Sequence, residues 1–243
     1  MSGILSMMFA GQMAALTLDI SNRVNPDVVS LLNAAGWAGV QHPVILVNNG
    51  LVNTLNIPSS LNGADLTLIN AAGCRIGGLF SGGTALITRA AIKVQNLGIL
   101  SGGGGAGGIG GSAWVRRTLS TGASQYASGS GGGGGFGQGF LSGSLTISSA
   151  GAASSGSTGY LAPSGSWGPG DPGRAAAWAY GGYGGDGGAW GQTGNYGGSG
   201  QAVGDYDTGE GYADRAPGLA GFYVDGNSYV TWLATGTRLG RVQ

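Results

Sequence analysis

The chain has 243 residues, 56 of them glycine, and its ten basic and ten acidic residues cancel to a formal net charge of zero. Charged residues make up 8% of the sequence, against about 25% in an average globular domain. This composition excludes a highly charged disordered chain and offers no basic surface for nucleic acid.

The residue content gives little support for catalysis or for a metal site. With one cysteine, Cys74, and one histidine, His42, the chain can form no internal disulfide and lacks the several ligands of a zinc site. A serine nucleophile would need a base, and His42 is the only histidine. The glycine tracts also lack the Lys-Ser/Thr ending of a phosphate-binding loop. We therefore expect no enzymatic activity, no cofactor and no metal.

Two features precede residue 44. Residues 3–16 are apolar, but they lack a basic start and fall short of the roughly 20 apolar residues of a membrane span. This apolar stretch therefore predicts a docking surface for a partner. The sequence Asn25-Pro26-Asp27 followed by VVSLLNAAG predicts a short helix, with Asn25 as its N-cap and Gly36 at its C-terminal end.

From residue 44 the apolar residues alternate, which is typical of β-strands. Three segments, 44–52, 66–76 and 92–101, repeat an alternating aliphatic stretch that leads to an asparagine and a glycine. Asn49, Asn70 and Asn96 mark the repeat at spacings of 21 and 26 residues. This pattern predicts stacked β-rungs that bury their aliphatic side chains against one another.

Glycine tracts dominate the chain after residue 100, and in two of them glycine recurs at every third position. A period of three is typical of an extended threefold helix, but the longer tract lacks the proline of collagen. We therefore predict a polyglycine II bundle, whose backbones approach closely and exchange hydrogen bonds. Flexible linkers are the alternative interpretation. The predicted scaffold glycines are Gly102, Gly105, Gly108, Gly111, Gly182, Gly185, Gly188, Gly191, Gly194, Gly197 and Gly200.

Segments rich in Tyr and Trp interrupt the glycine tracts, and all nine tyrosines lie beyond position 120. Rigid aromatic side chains among Ser, Gly and Asn are typical of binding surfaces. The alternative is that some rings fold back to cap the bundle ends. The acidic residues between 205 and 214 form either a charged rim that selects a basic partner or a solvated turn.

The order of these features resembles the glycine-rich receptor-recognition proteins, or adhesins, at the tips of tailed-bacteriophage fibres, including those of T-even-like phages. The matching pieces are residues 25–39, 66–70 and 83–108, the glycine blocks, and residues 226–242 with their TGTRLG ending. The resemblance implies a virion protein at the distal end of the tail or tail fibre. Its N-terminal region, which differs from the T-even-like pattern, would attach to a fibre or tail-tip protein, as a homotrimer or as a single copy.

The resemblance also implies that segments between the glycine blocks contact a bacterial outer-membrane protein or a surface glycan. These segments would be residues 114–126, 140–161, 178–183 and 206–212. The candidate receptor-binding residues are Trp114, Tyr126, Tyr160, Trp178, Tyr180, Tyr183, Tyr206, Asp207 and Tyr212.

The predicted fold is mostly β and irregular, with a small N-terminal helical segment. We expect an attachment segment over 1–43, a β-rung domain over 44–100, a glycine-rich bundle with recognition loops over 101–221, and a closing strand over 222–243. The closing strand would pack Tyr229 or Trp232 against the rungs, and Arg238 and Arg241 would pair with acids or backbone carbonyls. An ice-binding protein and an inert glycine-rich matrix protein are the alternative functions.

Overall fold

The computed structural model describes residues 14–164 and 173–243. Most of the predicted docking stretch, residues 3–13, lies outside them. The predicted mostly β fold is confirmed. In chain order the elements are β1 Leu16–Asp19, β2 Arg23–Val24, α1 Val28–Ala34, β3 Val44–Asn48, β4 Leu51–Asn53, β5 Leu55–Ile57, β6 Leu66–Asn70, β7 Arg75–Gly77, β8 Leu86–Thr88, β9 Ile92–Asn96, β10 Ile99–Ser101, β11 Ala113–Thr118, β12 Ser124–Gly129, β13 Gly139–Phe140, β14 Ile147–Ser148, β15 Thr158–Leu161, β16 Ala177–Tyr180, β17 Gln201–Gly204, β18 Thr208–Gly211, β19 Phe222–Asp225, β20 Val230–Ala234, β21 Thr237–Leu239 and β22 Arg241–Val242, with 3-10 turns at Ser59–Leu61 and Asn227–Tyr229.

Three parallel sheets form the faces of a solenoid. Each turn of the chain adds one strand to each sheet, except the first turn, which adds strands to two of them. The sheet orders are β1-β3-β6-β9-β20, β2-β4-β7-β10-β21 and β22-β19-β8-β5. The three predicted repeat segments occupy neighbouring rungs: Leu46, Leu68 and Val94 are register partners, and all three are fully buried. Every second residue of these strands points inward because side chains alternate along a β-strand.

A ladder of buried asparagines crosses three rungs. The Nδ2 group of Asn48 donates to Oδ1 of Asn70 at 2.8 Å, and Nδ2 of Asn70 donates to Oδ1 of Asn96 at 2.7 Å. The predicted repeat was wrong at its first asparagine, because Asn48 and not Asn49 is the register partner of Asn70. The side chain of Asn48 continues the inward alternation of β3, whereas Asn49 is exposed.

The predicted helix exists, but its N-cap is Asp27 and not Asn25. The Asp27 side chain accepts hydrogen bonds from the amide and the hydroxyl of Ser30, and Gly36 follows the helix with φ +76°. Asn25 has φ +40° and forms a corner of the first rung, where its amide donates to the carbonyl of Asn53 in the second rung; Thr54, the next residue of that second rung, has φ +54°. Asn25, which the sequence pattern assigned to the helix N-cap, therefore belongs to a corner of the solenoid.

The glycine-rich region is an insertion within one rung of the solenoid. The chain leaves after β10 and returns at β19, and these two strands complete the rung that begins with β9. The last rung consists of β20, β21 and β22, so the C-terminal region is a full turn of the solenoid and not a single strand. The rung fold also begins at β1, before residue 44; the domain limits given above stay predictions.

The details of the C-terminal turn largely follow the expected packing. Trp232 packs against the solenoid core, whereas Tyr229 is 42% exposed. The Nε group of Arg241 donates to the carbonyl of Ala220 at 2.7 Å. Arg238 instead lies over an aromatic ring, with its guanidinium carbon 5.2 Å from the centre of the Trp232 ring.

Six extended segments of the insertion pack side by side, and we call them the glycine bundle: residues 102–112, 130–138, 150–157, 181–189, 192–200 and 212–221. Neighbouring segments exchange backbone hydrogen bonds at every third residue. For example, the amides of Gly104, Gly107 and Gly110 donate to the carbonyls of Gln138, Gly135 and Gly132. This spacing is the one expected of threefold extended helices; the polyglycine II conformation itself stays a prediction.

The periodic tract from 182 to 200 forms two antiparallel segments of the glycine bundle. The chain reverses at Trp190 and Gly191, where Gly191 has φ +69° and the Gln192 amide donates to the carbonyl of Ala189. A Cβ atom built at any of the eleven predicted scaffold glycines would lie 2.8 Å or less from a neighbouring backbone atom. These positions have no room for a side chain. In the described ranges no helix has the length and apolar character that crossing a membrane requires.

Candidate functional site

A small β-sandwich stands at the end of the glycine bundle that is remote from the solenoid. One antiparallel sheet has the order β12-β11-β18 and the other β15-β16-β17. Their facing sides form a core of small residues: Ala113, Val115, Leu161, Ala177 and Ala179. The bundle connects directly to this sandwich, because residue 112 leads into β11 and residue 200 into β17.

The outer side of the first sheet carries three of the candidate aromatic residues. Trp114 and Tyr126 point away from the core, and Tyr126 is 65% exposed. The indole Nε1 group of Trp114 donates to the hydroxyl of Tyr212 at 3.1 Å. Arg116 lies directly across from Tyr126, and its Nε atom is buried without a hydrogen-bond partner in the described part of the chain. This surface combines aromatic rings with a cation.

The outer side of the second sheet carries three more of the candidate aromatic residues. Tyr160 and Trp178 are register partners on β15 and β16, and their ring centroids are 5.6 Å apart. Tyr180 lies two residues further along β16, on the same side. Tyr160 and Tyr180 are exposed and Trp178 is half-buried. The sandwich therefore presents aromatic rings on both outer sides while it buries small residues inside.

Two arginines hold together the loops at the tip of the sandwich. Arg117 is 1% exposed, and its guanidinium donates to the Gln125 side chain and to the carbonyls of Ala175 and Ala162. Arg174 forms ion pairs of 2.6 Å with Asp205 and 2.8 Å with Asp207. These contacts join the ends of all six strands of the sandwich.

The charged groups at the tip shift one another's pKa values. Hydrogen bonds to Asp205 and Asp207 raise the pKa of Arg174. The hydrogen bond from Arg174 lowers the pKa of Asp205. For Asp207, the backbone amide of Thr118 is the largest cause of a lowered pKa, and Arg174 adds to it. Both carboxylates are therefore ionised at neutral pH and hold their loops in place.

An open cleft of about 640 Å³ lies beside this tip. Its walls include Arg117, Tyr126, Tyr160 and residues 161–164. Its volume falls within the range of sites that hold a small ligand or part of a larger one. The cleft connects the two aromatic sides of the sandwich, because Tyr126 belongs to one sheet and Tyr160 to the other.

The remaining candidates do not lie on the outer sides of the two sheets. Tyr206 is half-buried against the sandwich core, and its hydroxyl donates to the Ala202 carbonyl at 3.3 Å. Asp207 is engaged by Arg174 and Thr118. Tyr183 is 65% exposed, but it belongs to the glycine bundle. The sequence interpretation missed the organising roles of Arg117 and Arg174; their only signal was their position beside the aromatic segments.

Comparison with known proteins gives three results. The family model described as "Phage tail fibre adhesin Gp38" matches residues 15–243. A search of curated proteins found no match. Among solved structures, the chain is similar to one from the gp37-gp38 adhesin tip complex of the bacteriophage S16 long tail fiber, with 18% identity, a TM-score of 0.48, and coverage of 94% of this chain and 82% of that chain. Because the family model spans nearly the whole sequence, the chain belongs to the Gp38 family of phage tail fibre adhesins.

Proposed function

We propose that this adhesin recognises a receptor on the bacterial surface, an outer-membrane protein or a surface glycan, through the outer sides and the tip of its β-sandwich. One observation carries the proposal: the sandwich buries alanines and exposes Tyr126, Tyr160 and Tyr180. Large aromatic side chains contribute most to stability when they are buried. Their outward placement is therefore a cost to folding that binding would explain.

The rest of the fold suits the display of such a surface. The glycine bundle is held by backbone hydrogen bonds between segments, and Arg117 and Arg174 fix the loops at the tip. A surface that is ordered before binding loses less conformational entropy when it meets its partner. The proposed site thus lies on a rigid arm that extends from the solenoid.

The opposite part of the molecule is proposed to attach to a phage fibre or tail-tip protein. In the described residues, β1 is the edge strand of its sheet, so one side of its backbone is unpaired. Such an edge can accept a strand from another chain. This arrangement would place the sandwich at the distal end of the tail fibre, with either one copy or three copies at the tip.

Adsorption of the fluorescently labelled protein to bacteria that the phage infects tests the proposal. Tyr126→Ala and Trp178→Ala should each reduce cell binding at least tenfold, because aromatic residues dominate most binding surfaces. Tyr229→Ala, which removes an exposed tyrosine from the solenoid, is the control and should bind as the unmodified protein does. Unchanged adsorption of both sandwich variants would contradict the proposal.

A further inference from the structure

A separate groove of about 380 Å³ lies on the flank of the glycine bundle, between the solenoid and the sandwich. Residues 153–155 form one side, and residues 183–186 with Asn195 and Tyr196 form the other. None of the residues that line it belongs to the strands of the sandwich. The groove is therefore distinct from the proposed receptor surface.

Two tyrosines project from the walls of this groove. Tyr183 is 65% exposed and Tyr196 is 67% exposed. The Tyr183 ring lies against Gly198, where a Cβ atom would be 2.7 Å from the ring carbon Cε1. The absence of a side chain at Gly198 thus lets the ring lie on the backbone, and this limits its motion.

Polar side chains line the groove together with the two rings. Oδ1 of Asp186 accepts a hydrogen bond from the Ala153 amide at 2.8 Å, which fixes the carboxylate, and Oδ2 has no partner among the described residues. In the described part of the chain, the side chains of Asn195 and Ser155 make no hydrogen bond. A carboxylate, an amide and a hydroxyl together provide both donors and acceptors.

We propose that this groove binds a neutral hexopyranose unit of a bacterial surface polysaccharide. A pyranose ring has an apolar C–H face, which packs on an aromatic ring, and a rim of hydroxyl groups. The tyrosine rings match the face, and Asp186, Asn195 and Ser155 match the rim. Among the described residues, those that line the groove include one carboxylate and no cation, which disfavours phosphorylated or acidic sugars.

A peptide strand fits this groove less well. The amides of Gly184 and Gly185 on its floor already donate to the carbonyls of Ser154 and Gly108. An added strand needs unpaired backbone amides along an edge, and these two amides are already engaged. The site would hold a sugar while the sandwich engages the main receptor, and sugar binding itself can be measured without any receptor.

Saturation-transfer NMR with the full chain and the methyl glycosides of glucose, galactose, mannose and N-acetylglucosamine tests this site. At least one of them should receive saturation from the protein. Tyr196→Ala should abolish the signal, and Asp186→Asn should weaken binding about tenfold, because charge-assisted hydrogen bonds are stronger than neutral ones. The Asn substitution keeps the oxygen that the Ala153 amide needs, so it preserves the local fold.

Tyr126→Ala is the matched control, since it removes an equally exposed tyrosine from the sandwich. It should leave sugar binding unchanged while it reduces cell adsorption, so the two sites can fail independently. Three results would overturn the sugar site: no transfer to any of the four glycosides, a signal that survives Tyr196→Ala, or a signal that is lost in Tyr126→Ala. Protease treatment of the cells that removes the Tyr196-dependent part of adsorption would also overturn it, in favour of a protein ligand.

Discussion

The Nδ2 group of Asn70 donates a hydrogen bond of 2.7 Å to Oδ1 of Asn96, one rung further along the solenoid, and both side chains are fully buried. Asn70 also accepts from Asn48. Asn70→Ala would leave both neighbours without these partners, and each unsatisfied buried polar group costs about 1–3 kcal/mol. We expect the free energy of unfolding to fall by about 2–4 kcal/mol in guanidinium titrations. Asn49→Ala, at the neighbouring exposed position, should change it by less than about 0.5 kcal/mol; equal effects would contradict the ladder.

Gly133 and Gly134 are adjacent glycines in different surroundings. A Cβ atom at Gly134 would lie 2.0 Å from the carbonyl oxygen of Gly107, whereas at Gly133 the nearest atom is the Ser154 hydroxyl at 3.4 Å. Gly134→Ala should destabilise the protein by about 1–3 kcal/mol or more through overpacking. Gly133→Ala should be neutral or slightly stabilising, because it reduces the entropy of the unfolded chain. Thermal unfolding of the two variants compares them, and similar melting temperatures would refute close packing in the bundle.

The ion pairs of Arg174 make the order of the tip dependent on pH. The pKa values of Asp205 and Asp207 are lowered in the folded protein from 3.8. Their stabilising contribution is therefore fully present above pH 3.8 and is lost as the pH falls through the lower folded values. Hydrogen exchange of the Thr118 amide, which donates to Asp207, should be protected at neutral pH and accelerate relative to bundle amides below about pH 4. Asp207→Asn should lose much of this protection at neutral pH as well.

Replacement by alanine should lower the stability of the protein at Tyr206 but not at Tyr126. Tyr206 packs against the sandwich core, so Tyr206→Ala should lower the free energy of unfolding by about 2–4 kcal/mol. Tyr126 is mostly exposed, and Tyr126→Ala should leave stability within about 0.5 kcal/mol of the original. Chemical denaturation measures both. A destabilised Tyr126 variant would mean that this residue supports the fold.

The solenoid was largely predictable because its signal is local. Alternating aliphatic residues indicate strands, and a repeated asparagine indicates that the strands stack in register. The choice between Asn48 and Asn49 was not predictable in the same way, since two adjacent asparagines fit the repeat equally and only the strand's end decides which one points inward.

Other features depend on contacts that the sequence pattern does not encode. Glycine continues with a period of three through Gly188, Gly191 and Gly194, so the chain reversal at Gly191 leaves no trace in the pattern. The sandwich is equally hidden, because its core is mostly alanine and its aromatic residues face outward. Hydrophobic patterning therefore assigned these strands to loops.

The position of the insertion has a consequence for how the molecule is made. Strand β20 pairs with β9, and β21 pairs with β10. In the chain, residues 102–221 lie between β9 and β10 on one side and β20 and β21 on the other. Until this long stretch has been synthesised and its ends brought together, β9 and β10 remain open edges that can pair with another chain. Closure over such a sequence distance slows folding more than it weakens the native state. The last solenoid turn therefore covers the edges of β9 and β10 late in folding. Before it does so, a newly made adhesin can pair wrongly with a neighbouring copy through these edges while the virion assembles.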